Sequence, residues 1–262
     1  MSGAAPGMTE AELWRAVLPH AVLAQAVAEA LGCARGEPLA GLAAALALDE
    51  RDWLVPERRE IVPLLAQGVA LEDLLLLRLG DPAGGWWTGA RALPRQESPG
   101  AQLAHAAGLA AGLARREKPA AVLAFADGDA LPQLDADEAL RAAHALRCPL
   151  VVLVTSTGPA PDDVYAVYRA VAEAVQHARG GGGPALLRAT AEAEPREALA
   201  ALAARARAAG AWSEADERDA RAAARQRVAD ALERARAAFR SDPSQLAEHL
   251  YHMLPPRLAA LR

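Results

Sequence analysis

The hydrophobic positions in the first third of the chain recur at the spacing of a helix. Leu13 and Val17 begin one apolar stripe, and Gly32 is the predicted stop of that first helix. Further helices are predicted at 39–48, 59–67 and 71–79, with an interruption at 52–56. A cluster of glycines and prolines then predicts a loop over residues 80–98.

Short, fully apolar runs replace that spacing in the middle of the chain. The run PLVVLV at residues 149–154 is β-branched and gives the clearest strand prediction. Strands are predicted at 120–126, 149–154 and 184–189, and helices at 101–115, 135–147 and 162–179. Fully apolar strands joined by helices are typical of a parallel sheet covered on both faces. We therefore predict an α/β fold built on a parallel sheet flanked by helices.

The last part of the chain is predicted to be helical again, at 196–209 and 213–239 and in a short tail near 246–261. The segment 213–239 is rich in Arg, Ala and Glu but has few large apolar residues, so a packed surface helix is favoured over a coiled coil. These patterns indicate a single domain with three parts. They are a helical N-terminal segment (1–80), a sheet core (81–192) and a helical C-terminal segment (193–262).

Composition and charge exclude several classes of function. The chain has 262 residues, and its formal charge of −5 argues against non-specific binding of nucleic acid. Its one lysine, Lys118, precedes a proline, so the G-K-[ST] sequence of a P-loop is missing. No stretch approaches the ~20 uncharged apolar residues of a membrane span, and residues 1–13 lack the pattern of a signal peptide. We therefore expect a cytoplasmic protein in which Cys33 and Cys148 are buried thiols.

Two short polar segments stand where predicted strands end. One contains Asp127 and Gly128, and the other, residues 155–158, contains Ser156. Because the carboxyl ends of neighbouring parallel strands meet at one edge of a sheet, a carboxylate and small hydroxyls are expected close together there. That combination suits a metal-bound diphosphate or another phosphate ligand. The simpler interpretation is a D-G turn and an S-T-G turn without a ligand, and spacing alone favours it.

Several segments, in order along the chain, resemble one protein family. They are Gly36-Glu37-Pro38, residues 52–60 (DWLVPERRE), 67–74 (QGVALEDL), 100–106 (GAQLAHA), Ala126-Asp127-Gly128, Gly210-Ala211-Trp212-Ser213 and 250–256 (LYHMLPP). Together they resemble the alpha subunit of the first, thiamine-diphosphate-dependent component of the 2-oxo acid dehydrogenases of pyruvate, branched-chain and acetoin type. The resemblance runs from about residue 36 to the C-terminus.

That resemblance implies a fold, a cofactor and a partner. The fold is the thiamine-diphosphate-binding fold, here with a truncated parallel sheet. Thiamine diphosphate and Mg²⁺ are implied at an interface with a separate beta-type subunit, and the cofactor carries the carbanion chemistry. The matching cofactor-binding residues are Arg59, Gly100, Gln102, Asp127, Gly128 and Ser156, with Asp127 also as the metal ligand.

The sequence departs from the family's pattern at the site itself. The first Gly of the family's G-D-G is Ala126, and its second metal ligand, an Asn, falls at Ser156 in a chain without asparagine. A serine hydroxyl is a weaker Mg²⁺ ligand than a carbonyl oxygen. A strand and helix of the family are missing after Gly158, and a histidine-bearing loop is missing after the strand at 184–189.

These departures lead to a first expectation and two alternatives. The first is a catalytically impaired alpha subunit that pairs with a beta-type chain or with itself, in an oligomer such as a heterotetramer, and has a structural or regulatory role. The second is an active enzyme that decarboxylates a 2-oxo acid oxidatively once a separate beta subunit completes the site. The third is binding of another phosphate ligand at the edge formed by Asp127 and Ser156.

Overall fold

The computed structural model describes residues 7–32, 38–57, 62–80, 90–93, 98–116, 119–131, 133–158 and 161–239. Within these ranges the chain forms a parallel sheet of four strands in the order β1-β2-β3-β4, with helices on both faces. The strands are β1 (Trp53–Val55), β2 (Val122–Asp127), β3 (Leu150–Gly158) and β4 (Ala185–Glu192). This confirms the predicted α/β fold with a parallel sheet flanked by helices.

The described helices agree closely with the sequence pattern. Those before the second strand are α1 (Glu10–Ala30), α2 (Leu39–Ala45), α3 (Val62–Ala66), α4 (Leu71–Arg78) and α5 (Pro99–Arg115). Those after it are α6 (Gln133–Ala145), α7 (Val164–Arg179), α8 (Pro195–Ala208) and α9 (Glu214–Ala238).

Helix α1 begins and ends where its sequence signals stand. The hydroxyl of Thr9 accepts the backbone N–H of Glu12 at 3.3 Å, and the Glu12 carboxylate accepts the N–H of Thr9 at 2.8 Å. Gly32 follows the last turn with φ +66°, a conformation that glycine adopts without strain. The predicted stop at Gly32 is therefore confirmed, and the buried side of α1 packs against α8 and α9.

Strand β1 lies within residues 52–56, where the sequence predicted only an interruption between helices. Its three residues lie parallel to the start of β2, with Trp53 opposite Val122. A strand of three residues is too short to show an alternating pattern. On its other side, the N–H of Leu54 donates to the carbonyl oxygen of Arg91 at 2.8 Å, and the N–H of Leu93 donates to that of Leu54 at 2.9 Å.

Alternate residues of the strands face two different cores. Leu123 and Phe125 of β2 belong to one core with α1, α2, α7, α8 and α9, while Val122 and Ala124 belong to a second core with α5 and α6. The strand order runs in one direction from β2 to β4, yet α6 and α7 cover opposite faces. The β2–α6–β3 and β3–α7–β4 crossovers therefore have opposite hands, although nearly all such connections are right-handed.

The carboxyl end of β3 extends further than the sequence predicted. Residues 155–158, expected to form a loop or an S-T-G turn, continue the strand and pair with residues 189–192 of β4. Pairing with β4 satisfies the backbone N–H and C=O groups of these residues, so their polar side chains do not end the strand. The prediction of a turn at this position was wrong.

The structure also decides which aspartates begin helices. Asp163 caps α7, because its Oδ1 accepts the N–H groups of Tyr165 at 3.0 Å and Ala166 at 3.2 Å. The neighbouring Asp162 instead accepts the N–H of Thr190 at 2.6 Å through Oδ2. Helix α6 begins at Gln133, before the predicted start at residue 135, so Asp135 lies inside the helix.

Two expectations about solvent and membrane can be compared with the described ranges. Cys148 is buried and free, as predicted, and burial raises the pKa of its thiol. Cys33 lies outside the described residues. None of the described helices is both long enough and apolar enough to cross a membrane.

Candidate functional site

The sequence-predicted site residues lie at the carboxyl edge of the sheet. Asp127 ends β2, Gly128 follows it, and Ser156 lies in the last part of β3. Helix α5 begins at the same edge, because the amide Nε2 of Gln102 donates to the carbonyl oxygen of Pro56, which directly follows β1, at 2.6 Å. The structure therefore places Gly100, Gln102, Asp127, Gly128 and Ser156 at one edge, whereas Arg59 lies outside the described residues.

The first turn of α5 is hydrogen-bonded to the backbone at the end of β1. Ser98 is the N-cap, and its hydroxyl accepts the N–H of Ala101 at 3.4 Å. Gly100 is buried, and Gln102 is only 3% exposed. Because the Gln102 amide binds the backbone after β1, its position is explained by the packing of α5 on the sheet.

Asp127 and the residues after it form a self-contained turn. The Oδ1 atom of Asp127 accepts the N–H of Asp129 at 2.9 Å, the pattern of an Asx turn. Its backbone oxygen accepts the N–H groups of Ala130 at 3.2 Å and Leu131 at 2.9 Å. The D-G turn that spacing alone favoured is therefore present, and it occupies one oxygen of the candidate metal ligand.

Gly128 and Ser156 are in direct contact across β2 and β3. A β-carbon at position 128 would lie 2.3 Å from Oγ of Ser156 and 3.0 Å from Cγ1 of Val154. The N–H of Gly128 donates to the carbonyl oxygen of Thr155 at 2.8 Å. Only glycine allows this approach, so Gly128 has a packing role at the end of the sheet whether or not a ligand binds there.

Glu192 is a residue at this edge that the sequence interpretation missed. It ends β4 opposite Gly158, it is 9% exposed, and its Oε1 accepts the N–H of Leu39 at 2.5 Å. Burial raises the pKa of the Glu192 carboxyl, although the N–H of Leu39 acts in the opposite direction. A sequence prediction that continued the last strand to residue 192 would have placed the Glu192 carboxyl at the carboxyl edge of the sheet, where Asp127 also lies.

Comparison with known proteins shows a sequence similarity that the geometry of the site does not reveal. No protein-family model matches the chain. Over 185 residues the chain is 29% identical to the 3-methyl-2-oxobutanoate dehydrogenase subunit alpha of Mycobacterium tuberculosis, covering 59% of this chain and 50% of that protein. The pyruvate dehydrogenase E1 component subunit alpha of Staphylococcus epidermidis is 25% identical over 182 residues, covering 58% and 49%.

The chain is similar to alpha subunits of 2-oxo acid dehydrogenases. The similarity confirms the family resemblance to that extent, and the matched region spans about half the length of those relatives. The terminal motif predicted at residues 250–256 lies outside the described residues.

The described residues supply only part of a site for a metal-bound diphosphate at this edge. Mg²⁺ in a phosphate site is usually held by one or two carboxylates together with phosphate oxygens, and the described residues contain no group of three or more His, Cys, Asp or Glu that could hold a metal ion without them. Oδ1 of Asp127 already serves the turn, and the Ser156 hydroxyl lies against the position of Gly128. The named residues at the strand ends, Asp127, Ser156 and Glu192, bring no positive charge to a diphosphate, and Arg59, which the resemblance assigns to it, lies outside the described residues.

Proposed function

We propose that this chain is an alpha-subunit-like protein of a 2-oxo acid dehydrogenase assembly, with a structural or regulatory role in place of turnover. The pairing of Ser156 within the sheet carries the proposal. Ser156 stands where the resemblance implies a metal ligand on a loop, but it lies opposite Thr190 inside the β3–β4 ladder. Ligands of open parallel sheets bind beyond the strand ends, on loops that are free to shape a pocket.

The hands of the crossovers support a shortened version of the family's fold. Taking out one strand and its helix after β3 would connect β3 directly to a helix on the opposite face of the sheet. The opposite hands of the α6 and α7 crossovers agree with such a loss. So does the sequence, which continues from Gly158 to the α7 cap at Asp163 within five residues (163 − 158 = 5).

The proposed partner is a beta-type chain or a second copy of this chain. Two relatives of the chain carry alpha-subunit names, and the helices α1, α8 and α9 keep a continuous core on one face of the sheet. A continuous helical core beside an altered site is the combination expected of a subunit that assembles without catalysing.

A second candidate function is oxidative decarboxylation of a 2-oxo acid together with a beta subunit. The shared position of Gly100, Gln102 and Asp127 at one sheet edge favours it. In that case Arg59 would meet the diphosphate and Asp127 the metal, and the beta-type chain would complete the pocket.

Co-expression with a beta-type chain from the same organism tests these two functions. We expect a stable heteromer, or a self-oligomer if no beta-type chain is retained, without thiamine-diphosphate-dependent decarboxylation of pyruvate or 3-methyl-2-oxobutanoate. A monomer that retains no beta-type chain contradicts the proposal. Turnover that is lost in Asp127→Asn but kept in the neighbouring Asp129→Asn would establish the second function instead.

A further inference from the structure

A cleft lies at the amino edge of the sheet, at the opposite end from Asp127. Its volume is about 670 Å³, within the range of small-molecule sites. Trp53 begins β1, Ala120 stands just before β2, and the second half of α5 forms one wall. The cleft is therefore separate from the candidate cofactor edge.

Three arginines bring positive charge to this cleft. Arg51, Arg91 and Arg116 all line it. Arg51 is paired with Asp49, whose Oδ2 lies 2.6 Å from the Arg51 Nη2. Among the residues that the structure describes, Arg91 and Arg116 have no carboxylate within ion-pair distance. Within the described part of the chain, the Arg91 and Arg116 guanidinium groups therefore stand beside the cleft without a paired carboxylate.

Trp53 supplies an aromatic surface and an unused donor at the same place. The Arg91 guanidinium carbon lies 5.9 Å from the centroid of the Trp53 ring. Trp53 is half-buried, and within the described residues its buried indole Nε1 has no hydrogen-bond partner. The Trp53 ring therefore adds an aromatic surface beside the Arg91 guanidinium at the cleft.

The wall formed by α5 is open where its glycines stand. Gly108 and Gly112 lie one helical turn apart and line the cleft, and a β-carbon at either position would meet nothing within 4 Å. Glycine is a poorer helix former than alanine, the commonest residue of α5, so neither helix propensity nor close packing explains these two positions. Leu109 and Leu113 add apolar surface beside them.

Helix electrostatics explain only one part of this arrangement. Arg116 is the C-cap of α5, where a positive side chain is favourable beside the last carbonyl groups. That effect does not account for Arg91, which belongs to the segment 90–93, or for the open space beside Gly108 and Gly112.

We propose that this cleft binds a small organic anion with an apolar body, its carboxylate or phosphate held by Arg91 and Arg116. The apolar body lies against Trp53 and over the glycines of α5. Charge-assisted hydrogen bonds from arginine suit both carboxylate and phosphate oxygens. The site does not depend on the function proposed above, because it uses none of the residues at the carboxyl edge.

Calorimetry on the full chain with four probes tests this site. We expect saturable binding of 3-phenylpropionate or phenyl phosphate, and the stronger of the two identifies the head group. The uncharged 3-phenylpropionamide and inorganic phosphate should each bind at least about tenfold more weakly, because each lacks one half of the recognised ligand. Absence of saturable binding by both organic anions overturns the proposal, and so does equal binding of the amide.

Variants locate the binding within the molecule. Arg91→Gln and Arg116→Gln should each weaken binding by about tenfold, and Arg169→Gln, at an exposed arginine of α7, should leave it unchanged. The double variant Gly108→Leu/Gly112→Leu should raise the melting temperature, since leucine favours a helix over glycine, while abolishing binding. Binding that survives in that stably folded double variant, or in both arginine variants, contradicts the assignment.

Discussion

The hydroxyl oxygen of Ser156 lies 2.3 Å from the position at which residue 128 would carry a β-carbon. This contact joins the turn after β2 to the end of β3. It means that Gly128 and Ser156, two residues expected to surround a cofactor, are packed against each other. The same contact makes their energetic role testable without any ligand.

Gly128→Ala should destabilise the protein by about 1–3 kcal/mol, the usual cost of forcing an extra carbon into a packed position. The free energy of unfolding in urea measures it. Adding Ser156→Ala should recover part of the loss, since the nearest atom is then removed while Val154 Cγ1 remains 3.0 Å away.

Gly108→Ala is the matched control for that substitution. A β-carbon at position 108 meets nothing within 4 Å, so alanine should stabilise α5 by about 1 kcal/mol. Equal effects of alanine at positions 108 and 128 would contradict the packing described at the carboxyl edge.

Asp52→Ala should cost about 1–3 kcal/mol, because it leaves the buried N–H of Ala121 without its acceptor, while Arg179 keeps its contact with Oδ2 of Asp49 at 3.0 Å. Asp52 is fully buried, accepts Nε of Arg179 at 3.0 Å, and also accepts the N–H of Ala121 at 2.8 Å. Urea denaturation again measures the effect. Arg169→Ala, in the exposed Arg169–Glu173 pair, is the control and should change the free energy of unfolding by less than about 0.5 kcal/mol. A similar loss of stability in both variants would contradict the larger contribution expected of Asp52.

Glu192→Gln should make the protein progressively more stable than wild type as pH rises. The folded-state pKa of Glu192 is raised by burial from 4.5, so the folded protein binds this proton more tightly than the unfolded chain does. The contribution of the Glu192 carboxyl to the free energy of unfolding is therefore fully present below pH 4.5. It is lost as pH rises through the raised folded-state pKa. Glutamine stays neutral and keeps an acceptor for the N–H of Leu39. Urea denaturation of the two proteins between pH 4 and pH 7, roughly the range over which a raised carboxyl titrates, measures the effect. The difference in the free energy of unfolding should grow with pH. A constant difference contradicts this account.

Asp163→Ala should destabilise the protein by about 1 kcal/mol through loss of the α7 cap. Burial raises the pKa of Asp163, but hydrogen bonds from Arg205 and from the N–H of Ala166 outweigh it and hold the pKa below its usual value. The contribution of this ionised carboxylate is present above the ordinary value of 3.8 and is lost as pH falls through the lowered one.

Asp163→Ser is the matched control, because serine keeps a capping oxygen and removes the Arg205 ion pair, which is solvent-exposed. Thermal denaturation of the two variants separates the effects. A serine variant as unstable as the alanine variant would assign the effect to the ion pair, against the low value expected of exposed pairs.

The helices were predictable because burial of one face spaces their apolar residues at the helical period, and the central strands because burial on both faces leaves an uninterrupted apolar run. Residues 120–126 and 149–154 show this directly, and β2 and β3 lie there. The end of helix α1 was also predictable, since Gly32 gives the backbone conformation that ends it.

What the sequence did not reveal depends on neighbours distant along the chain. Trp53–Val55 is a strand because β2 and the segment 90–93 supply partners on both sides. Residues 155–158 look like a turn but pair with the end of β4. The contact between Gly128 and Ser156 follows from that pairing, so the candidate site was located correctly at the sheet edge while its detailed geometry was not.

Calorimetric titration of thiamine diphosphate with Mg²⁺ into the chain, alone and co-purified with a beta-type chain, tests the central claim most directly. We expect no saturable heat in either sample, because Oδ1 of Asp127 accepts an N–H of its own turn and the Ser156 hydroxyl packs against Gly128. Saturable binding in either sample that is lost in Asp127→Asn and kept in Asp129→Asn would contradict the claim and establish a working cofactor site.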